Sequence, residues 1–149
     1  MIRAWLGALL AITLLGLLSA WSHYPLIAAP LGAYTVLLFG HPESPLAQPR
    51  NLVAGNTLAA LISVGCVLLF GTAPWVMGLA VGLTIAYGQL LRCLHPPAGA
   101  VALLGVLLAA RPSFVLMPVL TGSLLLLLLL AVAFSHLIPA THPYPHHWL

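Results

Sequence analysis

Apolar runs separated by short polar breaks occupy nearly the whole chain. Six runs follow one another: Ala4–Trp21, Leu26–Gly40, Leu52–Gly71, Trp75–Leu94, Pro97–Ala110 and Phe114–Leu137. The breaks between them contain proline, together with His, Arg or small residues. Proline either ends a helix or occupies its first turn, so this pattern predicts six separate helices.

Length divides the six segments into two groups. The first, third, fourth and sixth are long enough to cross a hydrocarbon core of about 30 Å at about 1.5 Å per residue. The second and fifth are shorter, and Pro97–Ala110 would reach only about 21 Å. We therefore expect an all-α polytopic membrane protein with four long transmembrane helices. The two short, proline-started helices either cross at a tilt or enter the membrane and turn back.

The composition indicates lipid as the solvent. Of the 149 residues, 62% are hydrophobic and 3% are charged, whereas about 25% of the residues in a soluble domain are charged. No cluster of Lys and Arg is present to neutralise nucleic-acid phosphates. Glu43 is the only acid, which argues against a two-carboxylate hydrolase or a carboxylate metal site. We expect no enzymatic activity, no cofactor and no metal.

The two ends of the chain allow alternatives. Arg3 and the apolar run after it predict a retained first helix, with a cleaved signal peptide as the alternative. The segment 139–149 is predicted to be a surface tail, and metal capture by His142, His146 and His147 is a minor alternative. The chain contains two cysteines, which we expect to be buried free thiols: Cys66 and Cys93.

The two short segments resemble each other at an offset of 67 residues, because Pro30–Ala33 matches Pro97–Ala100 at three of four positions. Of the six segments, the same shift carries the first roughly onto the fourth and the third roughly onto the sixth. We predict a single domain, residues 1–138, that contains a 3+3 internal repeat with halves 4–71 and 75–137. If all six segments cross, the halves are inverted, as in many transporters and channels. The arginine positions fit six spans and four spans equally well.

Polar groups in a membrane are costly and therefore indicate function. A short helix that begins at Pro97 directs N–H groups and partial positive charge toward its start, which suits an anion. The start at Pro30 would offer the same in the other half. The predicted substrate-binding residues are His95, Pro96, Pro97, Ala98, Gly99, Ala100, Arg50, Asn51, Gln48, Arg92, Pro30, Gly32 and Asn56.

Each of the leading polar residues also has a structural interpretation. Arg50 would cap the carbonyls of a neighbouring helix, and His95 would form a buried structural hydrogen bond. Arg92 would anchor to lipid headgroups. Asn56 and Gln89 would tie helices together. The sequence leaves these alternatives open.

Two motifs resemble the HPP family of membrane proteins. They are Ser44–Asn51, which reads SPLAQPRN, and His95–Ala100, which reads HPPAGA. The resemblance covers about 26–137 and implies four transmembrane helices. Members in plastids and cyanobacteria are associated with nitrite transport, which implies a small-anion transport role. The resemblance gives weight to His95, Pro96, Pro97, Gly99, Ser44, Pro45, Gln48, Pro49, Arg50 and Asn51.

The chain departs from the family pattern at two positions. Family members often have His where Asn56 stands, and Thr or Asn where Val101 stands. These departures leave the substrate and a proton-coupled step open. We expect a transporter or channel for a small monovalent anion, nitrite by resemblance, that forms a homo-oligomer in a bilayer, the bacterial inner (plasma) membrane.

Two other classes of function stay open. The first is a non-transporting membrane sensor or scaffold subunit, which a dry, apolar environment at the two short-helix starts would favour. The second is a membrane enzyme with a zinc site made by His41, Glu43 and His95.

Overall fold

The computed structural model describes residues 2–23, 30–109, 118–137 and 144–145, with the backbone alone at 118–127. All regular elements in these ranges are helical, which confirms the all-α prediction. A π-helical turn, Val36–Gly40, continues α2, and a 3-10 turn, Pro45–Ala47, precedes α3. The six α-helices are α1 (Ile2–Ser22), α2 (Pro30–Thr35), α3 (Pro49–Phe70), α4 (Pro74–Leu90), α5 (Pro96–Leu107) and α6 (Pro118–Leu137).

Helix length confirms part of the predicted membrane topology. With 21 and 22 residues, α1 and α3 are long and apolar enough to cross a membrane. The predicted fourth span is wrong at its C-terminal end, because α4 stops at Leu90 after 17 residues and Arg92 then adopts a φ of 52°. At about 1.5 Å per residue, α4 reaches about 26 Å. The first residues of the predicted sixth segment, 114–117, lie outside the described ranges, as do 24–29 and Arg111.

Proline sets the start of nearly every helix. Five of the six described helices have proline as their first residue: Pro30, Pro49, Pro74, Pro96 and Pro118. Proline fits this position because its φ is already helical and its missing N–H would have had no partner inside the helix. This explains why α3 and α5 begin slightly earlier than predicted.

The chain divides into two compact units. Unit 1 comprises Met1–Pro49 and Pro118–Leu149, and unit 2 comprises Arg50–Met117. In unit 1, α1 packs against α2 and its π-helical turn, and α6 contacts both helices. In unit 2, α4 packs against α5. The rings of Phe70 and Trp75, 5.5 Å apart, close the turn between α3 and α4.

These units combine the helices differently from the predicted sequence halves. Unit 1 holds the first two helices of the first half and the last helix of the second half, and unit 2 holds the converse set. Shifted by the 67-residue offset, Pro30–Gly40 and Pro49–Phe70 fall on 97–107 and 116–137, close to the bounds of α5 and α6. The internal duplication stays a prediction, and these bounds support it.

The surface of α1 is typical of a helix in lipid. Its buried residues, Gly7, Ala11 and Leu15, follow one another at intervals of four along one side. The rest of the helix exposes large apolar side chains, among them Trp5, Leu9, Leu10, Leu14, Leu17 and Trp21. Water would not tolerate such a continuous apolar surface, whereas hydrocarbon does.

Part of the C-terminal segment is buried rather than on the surface. The Tyr144 side chain is 3% exposed, and its hydroxyl donates to the carbonyl of Ala47 at 2.8 Å. The carbonyl of Tyr144 accepts a hydrogen bond from Ser135 Oγ, also at 2.8 Å. Burial raises the pKa of the Tyr144 hydroxyl, whose usual value already lies above physiological pH, so the hydroxyl is protonated and can donate. The surface prediction is therefore wrong at Tyr144, and the tail histidines lie outside the described residues.

Replacement of Tyr144 by Phe tests this attachment. We expect Tyr144→Phe to lower the free energy of unfolding by about 1–3 kcal/mol, because the Ala47 carbonyl loses a buried donor. Thermal unfolding of the purified protein in detergent measures the change. Tyr87→Phe is the matched control, since Tyr87 is 47% exposed on α4. Equal changes in the two variants would contradict the proposed anchoring role.

Candidate functional site

The central feature of unit 2 is the loop Leu91–His95, here called the His95 loop, which joins α4 to α5. The N–H of Cys93 donates to the carbonyl of Gly88 at 2.8 Å, which closes the end of α4. Arg92 adopts a left-handed conformation with a φ of 52°. His95 is extended, at φ −134° and ψ 113°, and directly precedes the first residue of α5. The loop thus reverses the chain within a few residues.

Two glycines allow neighbouring helices to approach this loop closely. A Cβ atom added at Gly55 on α3 would lie 2.6 Å from the carbonyl oxygen of Cys93 and 2.9 Å from Cβ of His95. A Cβ added at Gly88 on α4 would lie 3.4 Å from Cα of Leu94. Sequence reasoning missed Gly55, although a glycine inside an apolar helix is itself a sign of close backbone approach.

A cavity of about 350 Å³ lies beside the loop, within unit 2. Its walls come from α3, α4, the His95 loop and the first turn of α5, and most of its lining is apolar. His95 and Thr84 are among the residues that line the cavity. The Thr84 hydroxyl donates to the carbonyl of Ala80 at 2.8 Å within its own helix. The cavity therefore offers few hydrogen-bond donors to a ligand.

This close packing buries His95, a polar residue next to Gly55. It is 2% exposed, and its Nε2 atom is fully buried. The residue also takes part in an interaction within the protein, in keeping with a structural role. An imidazole in such a position can donate a hydrogen bond to an anion or transfer a proton.

The start of α5 offers fewer N–H groups than the sequence suggested. Pro96 and Pro97 occupy its first two positions, and proline has no N–H. The N–H of Ala98 donates to the carbonyl of His95 at 2.9 Å. The predicted anion site at this helix start therefore has no N–H donor at Pro97, and the N–H of Ala98 is already paired within the chain. Two further predicted residues of α5 are less buried than Pro97 and Ala98. Gly99 is half-buried beside the cavity, and Ala100 is exposed.

Two arginines lie at the His95 loop. Arg50, the second residue of α3, is exposed, and its Nη2 donates to the carbonyl of Leu91 at 3.4 Å. This contact supports the capping interpretation, because a cation is favourable near the C-terminal carbonyls of a helix such as α4. Arg92, the next residue in the loop, is exposed as well. The fold thus brings two cationic residues to one end of unit 2.

The two predicted asparagines of α3 differ in environment. Asn51 is half-buried, whereas Asn56 is 3% exposed. The side-chain amide of Asn56 donates to the carbonyl of Leu52 in the same helix. Gln89, by contrast, is exposed on α4. The structure brings Arg50, Arg92 and His95 to one loop.

The remaining predicted residues belong to unit 1. Gln48 is buried, and its Nε2 donates to the carbonyls of Pro42 and Ser44 at 3.2 and 3.1 Å. Both amide hydrogens thus stabilise the loop before α3, and the role of Gln48 in substrate binding stays a prediction. Pro30 is buried, and Gly32 is exposed with no atom within 4 Å of an added Cβ. A shared anion site at the two short-helix starts stays a prediction.

The described residues do not support the zinc alternative. Among them, no group of three or more His, Cys, Asp or Glu side chains lies close enough to hold a metal ion. Cys66 and Cys93 are buried free cysteines, as predicted.

The residues from the 3-10 turn to α5 contain both family-like motifs, and comparison with known proteins agrees with them. The model of the family "HPP, transmembrane region" matches residues 1–145. The chain belongs to the HPP family. The HPP transmembrane region therefore spans all six described helices. No solved structure matches this HPP protein significantly.

Two curated relatives of this HPP protein are transmembrane proteins of Dictyostelium discoideum. The first is 32% identical over 160 residues, which covers 97% of this chain and 54% of the relative. The second is 36% identical over 141 residues, which covers 84% of this chain and 44% of the relative. The chain thus spans about half the length of the curated relatives that it matches.

A substitution that adds one methyl group at Gly55 tests its packing against the His95 loop. We expect Gly55→Ala to destabilise the protein by about 1–3 kcal/mol, because the added carbon overlaps backbone atoms that cannot move freely. Gly65→Ala is the matched control on the same helix, since no atom lies within 4 Å of a Cβ added there. The control is expected to be neutral or stabilising by up to about 1 kcal/mol, from helix propensity alone.

Thermal unfolding in detergent and the reactivity of Cys93 toward a thiol reagent, in a Cys66→Ala background, provide the readouts. Cys93 is 3% exposed and should react faster in Gly55→Ala once the loop moves. Equal thermal stability and equal Cys93 reactivity in the two glycine variants would show that Gly55 does not pack closely against the loop.

Proposed function

We propose that this HPP protein transports a small monovalent anion across the membrane, with nitrite as the substrate that the family resemblance favours. The observation that carries the proposal is the cavity of unit 2, which lies beside the buried His95 and the loop that holds Arg92 and contacts Arg50. Cationic groups at a loop attract an anion, and a buried imidazole beside a cavity provides a contact inside the protein.

The apolar lining of the cavity limits the class of anion. Few polar groups are present to replace the hydration shell of a ligand, so a strongly hydrated, multiply charged anion such as sulfate would lose more than it gains. A small monovalent anion with diffuse charge loses less on leaving water. The proposed preference is therefore for nitrite-like ions over sulfate or phosphate.

The polar residues have separate roles in this proposal. Arg50 and Arg92, both exposed, raise the local concentration of anions at the end of unit 2. His95 then contacts the anion in the cavity, in place of the helix-start N–H groups that the prolines of α5 lack. A change in the protonation of His95 would couple transport to protons. No step of this mechanism requires a metal, a cofactor or a catalytic reaction.

A second function has support from the same cavity. The mostly apolar lining and the small number of free donors at the start of α5 also suit a non-transporting sensor or scaffold subunit. Such a protein would use the packed His95 loop for stability rather than for permeation. The transport assay below separates the two functions.

The assembly and the location are separate proposals. The six described helices are few with which to enclose a pathway, so we propose a homo-oligomer in the bilayer. A bacterial inner membrane is the proposed location, although the two curated relatives described above are proteins of Dictyostelium.

Uptake into proteoliposomes tests the proposed transport. We expect the wild type to take up nitrite faster than sulfate, and His95→Leu to slow nitrite uptake by about tenfold or more, as expected for loss of a charge-assisted hydrogen bond. Gln89→Ala is the control, because Gln89 is exposed and does not line the cavity. Wild-type uptake of nitrite, nitrate, formate and chloride no faster than in empty liposomes would favour the sensor or scaffold function.

Replacement of Arg50 separates attraction of the anion from helix capping. We expect Arg50→Ala to reduce uptake most strongly at low salt, where electrostatic attraction has the longest range. Arg50→Lys keeps the charge and should retain most of the uptake even though it changes the contact with Leu91. Uptake by Arg50→Ala equal to that of the wild type at every salt concentration would remove Arg50 from the mechanism and leave only its capping role.

A further inference from the structure

Unit 1 contains a separate cavity that the proposed transport does not use. Its volume is about 210 Å³, and we call it the Arg3 pocket. The first turn of α1, the end of the π-helical turn, α6 and Tyr144 all contribute to its walls. The residues used below are Arg3, Phe39, Pro42, Phe134, Ser135 and Tyr144.

The pocket holds a half-buried guanidinium on an aromatic surface. The Cζ atom of Arg3 lies 5.9 Å from the centroid of the Phe134 ring, within the range of a cation–π contact. Phe39 packs edge-on against Phe134, with ring centroids 5.6 Å apart and planes at 86°. Because Phe39 fixes the Phe134 ring, the arginine has a fixed surface on which to rest. A guanidinium held by its face keeps its N–H groups available for a planar or tetrahedral oxyanion.

Among the residues that the structure describes, no carboxylate side chain lines the pocket beside this cation. The chain has a single acidic residue, Glu43, and it does not line the pocket. The neighbouring polar side chains are engaged, since Ser135 Oγ donates to the carbonyl of Tyr144 and the Tyr144 hydroxyl donates to that of Ala47. Arg3 therefore provides the positive charge of the pocket, and an anion is the complementary ligand.

The position of the pocket at the end of α1 indicates the source of the anion. Arg3 lies in the first turn of α1, which is long and apolar enough to span a membrane. The end of a membrane-spanning helix lies at the level of the lipid headgroups, where phosphate groups are abundant. Apolar side chains such as Phe39 line the same pocket and suit the glycerol and upper acyl region of a lipid. We propose that the Arg3 pocket binds the phosphate group of a phospholipid.

Native mass spectrometry of the full chain in a neutral detergent tests the proposal. Three probes separate the sources of the ligand: dioleoylphosphatidylglycerol, uncharged dioleoylglycerol and inorganic phosphate. We expect the wild type to retain phosphatidylglycerol, and Arg3→Gln to bind it about tenfold more weakly or worse. Arg3→Lys keeps the charge without the planar fork, so its affinity should be intermediate. Phe134→Leu removes the aromatic surface and should also weaken binding.

Arg50→Gln is the charge-matched control, because it removes one exposed arginine from unit 2, whose Nη2 contacts the carbonyl of Leu91 rather than the Arg3 pocket. It should bind phosphatidylglycerol as the wild type does. Equal losses in Arg3→Gln and Arg50→Gln would overturn the proposal in favour of general attraction to anionic lipid. Binding of inorganic phosphate as tight as that of the lipid would overturn the lipid assignment. If Arg3→Gln fails to fold, wild-type affinity in both Arg3→Lys and Phe134→Leu would overturn the proposed geometry.

Discussion

The backbone of this chain must satisfy its hydrogen bonds within its own helices, because hydrocarbon offers no partner for a free N–H or carbonyl group. Proline at the first position of five described helices reduces the number of N–H groups left over at the helix starts. The same device removes donors from α5, whose first two residues are Pro96 and Pro97. The two prolines thus favour the start of α5 in lipid, but they leave fewer backbone N–H groups that could bind an anion.

Polar chemistry in the membrane region therefore depends on side chains, and close packing determines where they lie. Gly55 lets α3 approach the carbonyl of Cys93, and Gly88 lets the loop pass close to α4. The chain between these contacts reaches His95 in an extended conformation, buried beside the cavity. The family motif at His95 thus combines a sharp reversal of the chain, a proline-started helix and a single buried imidazole.

The arginines illustrate how the same cation takes different roles in different surroundings. In unit 2, Arg50 contacts the carbonyl of Leu91 at the end of a helix and stays exposed. In unit 1, Arg3 lies over Phe134 in a pocket whose described lining contains no carboxylate. The first contact stabilises a helix end and leaves a positive surface beside the His95 loop. The second forms a site for an oxyanion at the end of α1.

The sequence by itself determined the membrane environment, the all-α class, the family and the helix starts to within a few residues, because hydropathy, proline and short motifs act locally. Only the tertiary structure decided where α4 ends, how Gln48 uses its amide and which helices form each unit. These features depend on contacts between distant residues, such as Tyr144 with Ala47 and Gly55 with Cys93. No local pattern encodes such pairs, since each depends on the folded chain bringing two separate segments within bonding distance.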